Sequence, residues 1–493
     1  MASLLTRLPH TIRVLDPGAG VGMLSAAVCE RVASLQSPRC VEIHAYETDR
    51  AVLPLLGTTL ARARDYLAEH GHKLEFCVYD RDFILDGPGL PDANLFGFDR
   101  FDIAILNPPY LKINKDSPYA AAMADLVHGQ PNLYALFMAL AGHCLKPGAQ
   151  FVAITPRSFC NGPYFHAFRR WFLSRLSIER LHLFESRRDA FAEAEVLQEN
   201  VITYARASAT QSPTIQISHS PGRCVLEASP SLALDASTVI NGADRIIRLP
   251  VSEAEVTILH AVESWPDRFE QLGLRVSTGP VVQFRAIEFI HRGYERNGRI
   301  PLLSVQNVYP FRTMWPARNP AKTLSFDVTP RSRKLLVPAA NYVLVRRFSA
   351  KEEARRLVAS PVFVDAFECE SFALENHLNY IYLTNRSLTR DEVLGITAML
   401  NSRLLDVYFR TISGNTQVNA AEIRMLPFPD LPTLSRLGRS LARVDVLDPV
   451  RLEGVILETL GINGTIYEYL TEEQSRTSRR DLEGAGSTPR ATE

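Results

Sequence analysis

The sequence has no CxxC pair. Its seven cysteines, Cys29, Cys40, Cys77, Cys144, Cys160, Cys224 and Cys369, stand singly and without a companion cluster of histidines. That pattern indicates neither a zinc site nor a disulfide framework, so no metal is expected and a reducing, cytoplasmic setting is. No apolar run reaches membrane-spanning length, and the opening Met1-Ala-Ser-Leu-Leu-Thr-Arg-Leu-Pro9 is too short ahead of the first strand to read as a secretory leader. An excess of charge is missing too: 54 Lys and Arg balance 54 Asp and Glu, which argues against a uniformly basic nucleic-acid binder. The chain shows no internal repeat and no segment that reads as a nuclease module. What is left is ordinary soluble composition, 46% hydrophobic and 22% charged, over 493 residues. That length suits roughly two to four domains.

Ile12-Arg-Val-Leu15, then Asp16-Pro-Gly-Ala-Gly-Val-Gly22, then an apolar helical run through Val32 read as strand, glycine-rich turn and helix. Such a turn lets a ligand approach the backbone, and a phosphate-like or nucleoside-like group is expected there. The spacing Gly18-x-Gly20-x-Gly22 departs from the dinucleotide fingerprint and no Lys-Ser/Thr pair follows, which disfavours NAD and ATP. A second strand, Val41 to Tyr46, ends in Glu47, where a Rossmann-like sheet sets an acidic residue on ribose hydroxyls. A lone strand-end glutamate is more often a solvated charge. A third strand, Leu74 to Tyr79, leads to Asp82-Phe83, a carboxylate beside an aromatic that suits an adenine, although such pairs are common.

The fourth strand, Phe101 to Leu106, delivers Asn107-Pro-Pro-Tyr110. Two consecutive prolines fix φ and remove two donors. The Asn107 side-chain oxygen and the Pro108 carbonyl are then left to accept from one planar amino group while Tyr110 offers a flat ring. The bland reading is a Pro-Pro turn capping a core strand. Alternation of strand and helix puts this corner near the glycine turn, at a topological switch point. The helix Asn132 to Ala141, a turn at Leu145-Lys-Pro-Gly148, the strand Phe151 to Pro156, a helix Tyr164 to Leu176 and strands Ile178 to Phe184 and Asn200 to Tyr204 follow, and the alternation ends near Arg206.

Leu15-Asp-Pro-Gly-Ala-Gly-Val-Gly22, Glu47, Asp82-Phe83, Asn107-Pro-Pro-Tyr110, Asn132-Leu-Tyr134 and Leu145-Lys-Pro-Gly148, in this order and spacing, resemble the AdoMet-dependent DNA methyltransferases of the gamma class of adenine-N6 enzymes. Thr155-Pro-Arg-Ser-Phe-Cys-Asn-Gly162, Val196-Leu-Gln-Glu-Asn-Val201, Glu375-Asn-His-Leu-Asn379 and Ser413-Gly-Asn-Thr-Gln-Val-Asn419 further resemble the PstI/BsuBI type of restriction-modification methylases, out to about Pro432. The resemblance implies an α/β fold: a Rossmann-like AdoMet-binding catalytic domain over 1–212 and a C-terminal mixed α+β target-recognition domain over 213–432. A helical segment over 433–470 and a disordered tail over 471–493 complete the chain. It implies S-adenosyl-L-methionine as cofactor, its methionine part held by the turn at Asp16, Gly18 and Gly20, its ribose by Glu47, its adenine by Asp82 and Phe83. Asn107 and Pro108 would hold the target N6, Pro109 belongs to the same catalytic corner, Tyr110 would stack on the extruded base, and Phe191 matches the position that packs an aromatic ring against it. The partners implied are double-stranded DNA, bound by a monomer, and a cognate restriction endonuclease. CTGCAG is the first target to consider.

Two other readings stay open. Protein-glutamine methyltransferases use the same corner on a side-chain amide, and a DNA-binding relative can lose its methylation site. About 280 residues follow Pro213, and from Arg285 to Arg356 there are 15 Lys/Arg against five Asp/Glu, interspersed with aromatics, which favours DNA. Runs such as Arg331-Ser-Arg-Lys334 are read equally well as solvated faces. Leu394 to Ile412 reads as one amphipathic helix. Gamma-class members carry a helix and a Phe/Tyr-Thr-Pro cap ahead of the glycine turn, and only about eleven residues precede the first strand here. Weak AdoMet binding is therefore expected, with Met1-Ala-Ser-Leu-Leu5 as the tail of that helix.

Overall fold

A computed structural model describes residues 1–35, 37, 39–86, 101–126, 132–184, 199–220, 229–293, 298–349, 353–414, 417–442, 444 and 448–472. Phe191 and nearly all of the expected tail lie outside them. The chain divides into two compact units, Met1–Val251 with Ile412–Gly414, and Ser252–Thr411 with Asn415–Glu493.

In the first unit, β1 (Thr11–Pro17), α1 (Met23–Ala33), β2 (Cys40–Glu47), α2 (Leu53–Glu69), β3 (Lys73–Asp80) and β4 (Phe101–Leu106) come first. They are followed by α3 (Pro118–Ala122), α4 (Leu133–His143), β5 (Leu145–Pro156), α5 (His166–Arg175), β6 (Leu176–Phe184), β7 (Asn200–Ala207), β8 (Thr214–Ser220) and β9 (Ser231–Asp235). The strands form one sheet in the order β3-β2-β1-β4-β5-β7-β6-β8-β9. The first five in that order run parallel, and β7 enters antiparallel between β5 and β6.

Side-chain alternation explains why β4 is apolar throughout. Ala104 and Leu106 join the core that α4 and α5 cover, while Ile103 and Ile105 join the core under α1 and α2. Helix α4 is buried from Leu133 to Gly142, so its sequence is apolar all round rather than striped. The chain builds outward from β1 to β3 and then returns to β1's other side with β4, where Val14 and Leu15 face Ile103 and Ala104. The carboxyl ends of β1 and β4 are therefore neighbours, and the sheet's switch point lies between them.

Two sequence expectations are revised. Leu145-Lys-Pro-Gly148 is an irregularity inside β5 and not a turn before it: β4 advances from Phe101 to Ile103 while β5 advances from Leu145 to Gln150, with Gly148 at φ 79°. The sheet continues past Arg206, because β8 adds parallel to β6 and β9 antiparallel to β8, and the first unit runs to Val251 and does not close at 212. Residues 1–5 hold a short 3-10 turn, Ala2–Leu4, with Ala2, Leu4 and Leu5 buried against the β1 side of the core.

The second unit is a mixed α+β assembly. A four-stranded antiparallel sheet joins Leu274–Thr278, Leu378–Leu383, Tyr342–Arg346 and Ala359–Val362, and a five-stranded sheet joins Ile290–Arg292, Leu324–Asp327, Arg299–Leu303, Ser371–Leu374 and Leu336–Pro338. The expected helix from Leu394 to Ile412 is two helices, Arg390–Asn401 and Arg403–Ile412. The break falls at Ser402, whose extended backbone stops the first helix and whose hydroxyl oxygen accepts the Leu405 N–H at 3.1 Å to start the second. No helix among the described residues is long and apolar enough to cross a membrane.

Helix Arg390–Asn401 packs on helix Leu431–Leu441 through reciprocal glycines: a Cβ at Gly395 would strike the Leu434 carbonyl oxygen, and one at Gly438 would strike the Asp391 carbonyl oxygen. Backbone cannot move aside as a side chain can. Gly395→Ala and Gly438→Ala are each expected to destabilise the second unit by about 1–3 kcal/mol or more, read as a lowered midpoint in thermal or urea melts. Unchanged melts would show that the helices do not approach this closely.

Candidate active site

The glycine turn begins where β1 ends. Gly18, Gly20 and Gly22 have φ of 75°, 56° and 84°, a region costly for any residue with a Cβ. The N–H groups of Gly18 and Ala19 donate to the Tyr46 carbonyl at 2.9 and 3.0 Å, which binds the turn to the end of β2, and Gly22 caps α1. Asp16, the last polar group before the turn, is fully buried. Ser25 Oγ donates to Asp16 Oδ2 at 2.6 Å, while Oδ1 has no hydrogen-bond partner among the described residues. Burial pushes the Asp16 carboxyl from 3.8 up to about 6, against the pull of the Ser25 hydrogen bond. Holding it ionised at neutral pH costs the fold about 3 kcal/mol.

Glu47 is more than a solvated strand-end charge. Its Oε2 accepts the Gly20 N–H at 2.8 Å and its Oε1 accepts the N–H groups of Thr48 and Asp49, both at 2.8 Å. The carboxylate thus ties the end of β2 to the glycine turn. Asp82 is similarly engaged: Oδ1 accepts from Ile84 N and Leu85 N at 2.8 and 2.9 Å, and Oδ2 accepts from the Tyr119 hydroxyl at 2.7 Å. That hydrogen bond, with burial, pushes the Tyr119 hydroxyl up to about 12, so it remains a donor. The Asp82-capped turn carries Phe83 inward. Phe83 is a core ring, 2% exposed, packed edge-on to Tyr46 and tilted against Phe137 with centroids 5.2 and 5.5 Å away. It lies beneath this region with little of its surface open.

At the end of β4 Asn107 is exposed, Pro108 is buried, Pro109 is exposed and Tyr110 is half-buried. The Tyr110 hydroxyl lies 2.9 Å from Asn107 Oδ1 and 3.0 Å from the Ile154 carbonyl, and its single proton serves one of them at a time. Burial raises the Tyr110 hydroxyl far above its ordinary value, which keeps that proton in place. Asn107 Oδ1 has two lone pairs, so one acceptor site remains when Tyr110 uses the other. Behind Tyr110 stands fully buried Tyr134, edge-on at 6.2 Å; its hydroxyl bonds Ser158 Oγ at 2.8 Å and its ring stacks on Phe165.

The two corners touch. A Cβ built on Gly18 would stand 3.7 Å from Pro109 Cδ and 3.6 Å from Phe137 Cε1, so the glycine turn and the Asn-Pro-Pro-Tyr corner share a wall. The structure brings together Asp16, Gly18, Gly20, Glu47, Pro109 and the ring cluster holding Phe83. Asn107 and Tyr110 sit on the same corner as Pro109, and Asp82 joins through its neighbour Phe83. Ser25, Tyr119 and Ile154 take part without having been picked from the sequence. Only Ser25 left a trace there, as a hydroxyl just inside the helix that follows the glycines.

Residues 68–191 match the family model described as the Eco57I restriction-modification methylase. The chain is 34% identical over 445 residues to the type II methyltransferase M.PstI of Providencia stuartii, covering 90% of this chain and 87% of that protein. It is 33% identical over 460 residues to the type II methyltransferase M.BsuBI of Bacillus subtilis, covering 92% and 89%. The chain belongs to this family of type II restriction-modification methyltransferases. Among solved structures, the type IIL restriction-modification enzyme MmeI, determined in complex with DNA, matches with a TM-score of 0.56 over 95% of this chain and 73% of that one, at 11% identity, a likeness of fold.

In this type II methyltransferase the basic surplus between Arg285 and Arg356 is partly buried or paired. Arg356 is fully buried, Arg299 pairs with Asp327, Arg331 pairs with Glu288, and Arg346 donates to the Val308 carbonyl at 2.9 Å through Nε. Arg285, Arg292, Arg312, Arg318, Lys322, Arg333 and Lys334 are exposed.

The buried Asp16 carboxyl gives a stability prediction. Because its folded value, about 6, exceeds 3.8, the folded state holds the proton more tightly. Its contribution is fully present below pH 3.8 and is lost as pH rises through about 6. Asp16→Asn keeps an acceptor for Ser25 and removes the charge. The variant is expected to gain up to about 3 kcal/mol at pH 8 and nothing near pH 4. Urea melts at the two pH values would show it, and equal gains at both would exclude Asp16 as the source.

Proposed function

We propose that this methyltransferase transfers a methyl group from S-adenosyl-L-methionine to N6 of an adenine flipped out of duplex DNA. Its product would protect that DNA from a cognate restriction endonuclease. The observation that supports this most is the shared wall between the glycine turn and the Asn-Pro-Pro-Tyr corner. A cofactor on one side and a planar amino group on the other meet within one transfer distance. The residues present suit the cofactor. Among the described residues nothing stands within 4 Å of where a Cβ at Gly20 would be, leaving room for a ligand, and Asp16 Oδ1, which has no partner among them, suits an ammonium group.

Asp16, Gly18 and Gly20 would hold the methionine part, Glu47 the ribose through the capacity its three backbone bonds leave, and Asp82 the adenine amino group, with Phe83 as the floor of that pocket. Bound there, the cofactor supplies an electrophilic methyl on a sulfonium. The chain supplies the grip on the acceptor: Asn107 Oδ1 and the Pro108 carbonyl accept the two hydrogens of the target amino group, which draws its lone pair out of the ring and aims it. Tyr110 fixes the Asn107 amide through its hydroxyl and offers its ring to the base. No strong base is needed, because the proton leaves after transfer, and rate enhancement comes from alignment and from electrostatic matching as positive charge moves to nitrogen. Flipping costs a few kcal/mol, offset by stacking and phosphate contacts. Phe191 is proposed as a second ring against the base. The second unit would read the sequence, with CTGCAG as the first candidate and one protein monomer per site.

Asn107→Ala is expected to lower methyl transfer by roughly 100-fold or more while cofactor and DNA affinities stay within a few-fold. An active variant would sink the mechanism. Calorimetry should also find that AdoMet binds more weakly as pH falls through about 6, since the Asp16 carboxylate must shed its proton to meet a cation. Asp16→Asn should bind weakly at every pH. A flat wild-type profile from about pH 5 to pH 8 would place the methionine ammonium elsewhere. Sequencing the modified bases in a naive host that expresses the chain would test CTGCAG.

A further inference from the structure

Phe284 and Ile287 are 75% and 74% exposed, the two most exposed large apolar side chains among the described residues. They project from one short stretch of the second unit, the turns Gln283–Arg285 and Ile287–Phe289. This stretch is firmly held. Val281 and Ala286 are buried beneath it, Arg285 N and Ala286 N donate to the Val282 carbonyl at 2.9 and 3.1 Å, and Phe289 N donates to the Ala286 carbonyl at 2.9 Å. Gln283 Nε2 donates at 2.8 Å to Oε1 of buried Glu375, and the backbone at Val281 bridges to Glu375. At Gly279 the chain lies so close to the Leu374 and Glu375 carbonyls that a Cβ would not fit. Two apolar side chains, three residues apart, are thus presented to solvent on a braced support.

Their surroundings are cationic. The Arg285 guanidinium stands 5.4 Å from the Phe284 ring centroid. Arg285 and Lys334 line an adjoining groove of about 470 Å³ with Val282, Phe289 and Pro330. The carboxylate in this groove, Glu288, is paired with Arg331 at 2.9 Å. A protein partner needs an apolar area far larger than two side chains. A base step offers a narrow apolar slot between two lines of phosphates, to which a protruding apolar pair flanked by cations is complementary.

We propose that Phe284 and Ile287 form a wedge that enters a groove of duplex DNA and opens a base step, with Arg285 and Lys334 on the flanking phosphates. The inference rests on DNA being the substrate. Opening a step yields a bent, partly unstacked duplex in which extruding a base costs less, so the wedge would contribute to site binding and flipping without reading a base edge.

The test uses the full chain and a duplex of about 30 base pairs carrying the site found by mapping. Phe284→Ala/Ile287→Ala should melt like the wild type, since both side chains are exposed. It should bind the matched duplex at least tenfold more weakly, with the slope of affinity against salt unchanged. In duplexes carrying a single mismatch moved stepwise through the site, one position should restore binding to within about twofold, because a mismatch removes the cost of unstacking. Lys334→Ala should instead lower the salt slope by about one and lose the same factor on every duplex. If the double variant binds as the wild type does, or if no mismatch position restores it, the wedge is wrong and the methyltransferase reading stands. If the double variant only converts a dimer to a monomer in sedimentation, the patch is a self-interface and the wedge is again wrong. A wild-type chain that neither binds nor methylates the duplex removes the reading and the wedge together.

Discussion

The side-by-side, parallel placement of β1 and β4 is the constraint from which the rest of the site follows. One strand ends in a glycine turn and the other in Asn107-Pro-Pro-Tyr110, and the sheet order forces both ends to the same edge. Position 18 calls for glycine because its φ of 75° strains any residue with a Cβ, and the corners abut there, with Pro109 and Phe137 at ordinary contact distance from where a Cβ would stand. Asp16 is fully buried at the end of β1, and one of its oxygens has no hydrogen-bond partner among the described residues. A carboxyl pushed up to about 6 is a cost that packing alone would not select. It is intelligible if a cation meets that oxygen in the working complex.

The acceptors around the site are held before any ligand arrives. Glu47 is fixed by three backbone N–H groups, Asp82 by two and by Tyr119, Asn107 by Tyr110. Glu47 Oε2, Asp82 Oδ2 and Asn107 Oδ1 each accept one of these bonds and keep a second lone pair. A group that is already oriented loses little entropy when it binds, which is how a site with no strong acid or base can still be selective. Burial keeps Tyr110 protonated, and the hydrogen bond to Asp82, with burial, keeps Tyr119 protonated, so their role as donors does not vary over physiological pH.

Much of this was legible in the residues. Glycines at positive φ, apolar strands with covered faces and a Pro-Pro corner are local signals, and local signals survive in a sequence. Ser25 left a faint trace and Tyr119 none, because a single hydroxyl carries no periodicity. The continuation of the sheet through β8 and β9 was missed for another reason: parallel pairing of β6 with β8 is a long-range event that leaves no local signal in the residues. The break at Ser402 was hidden because the apolar spacing runs through it and only the serine's capping bond reveals the stop. The positive surplus from Arg285 to Arg356 overstated the exposed charge, since counting cannot tell a buried Arg356 from a solvated Lys334.

The central claim is that the acceptor atom is the amino nitrogen of an adenine in DNA. Incubating the protein with isotope-labelled S-adenosyl-L-methionine and duplex DNA, digesting the DNA to nucleosides and resolving them by mass spectrometry tests it most directly. The account predicts that the label appears in N6-methyladenine and disappears with Asn107→Ala. Label in a methylated cytosine, or on glutamine of an added protein and not on DNA, would contradict it.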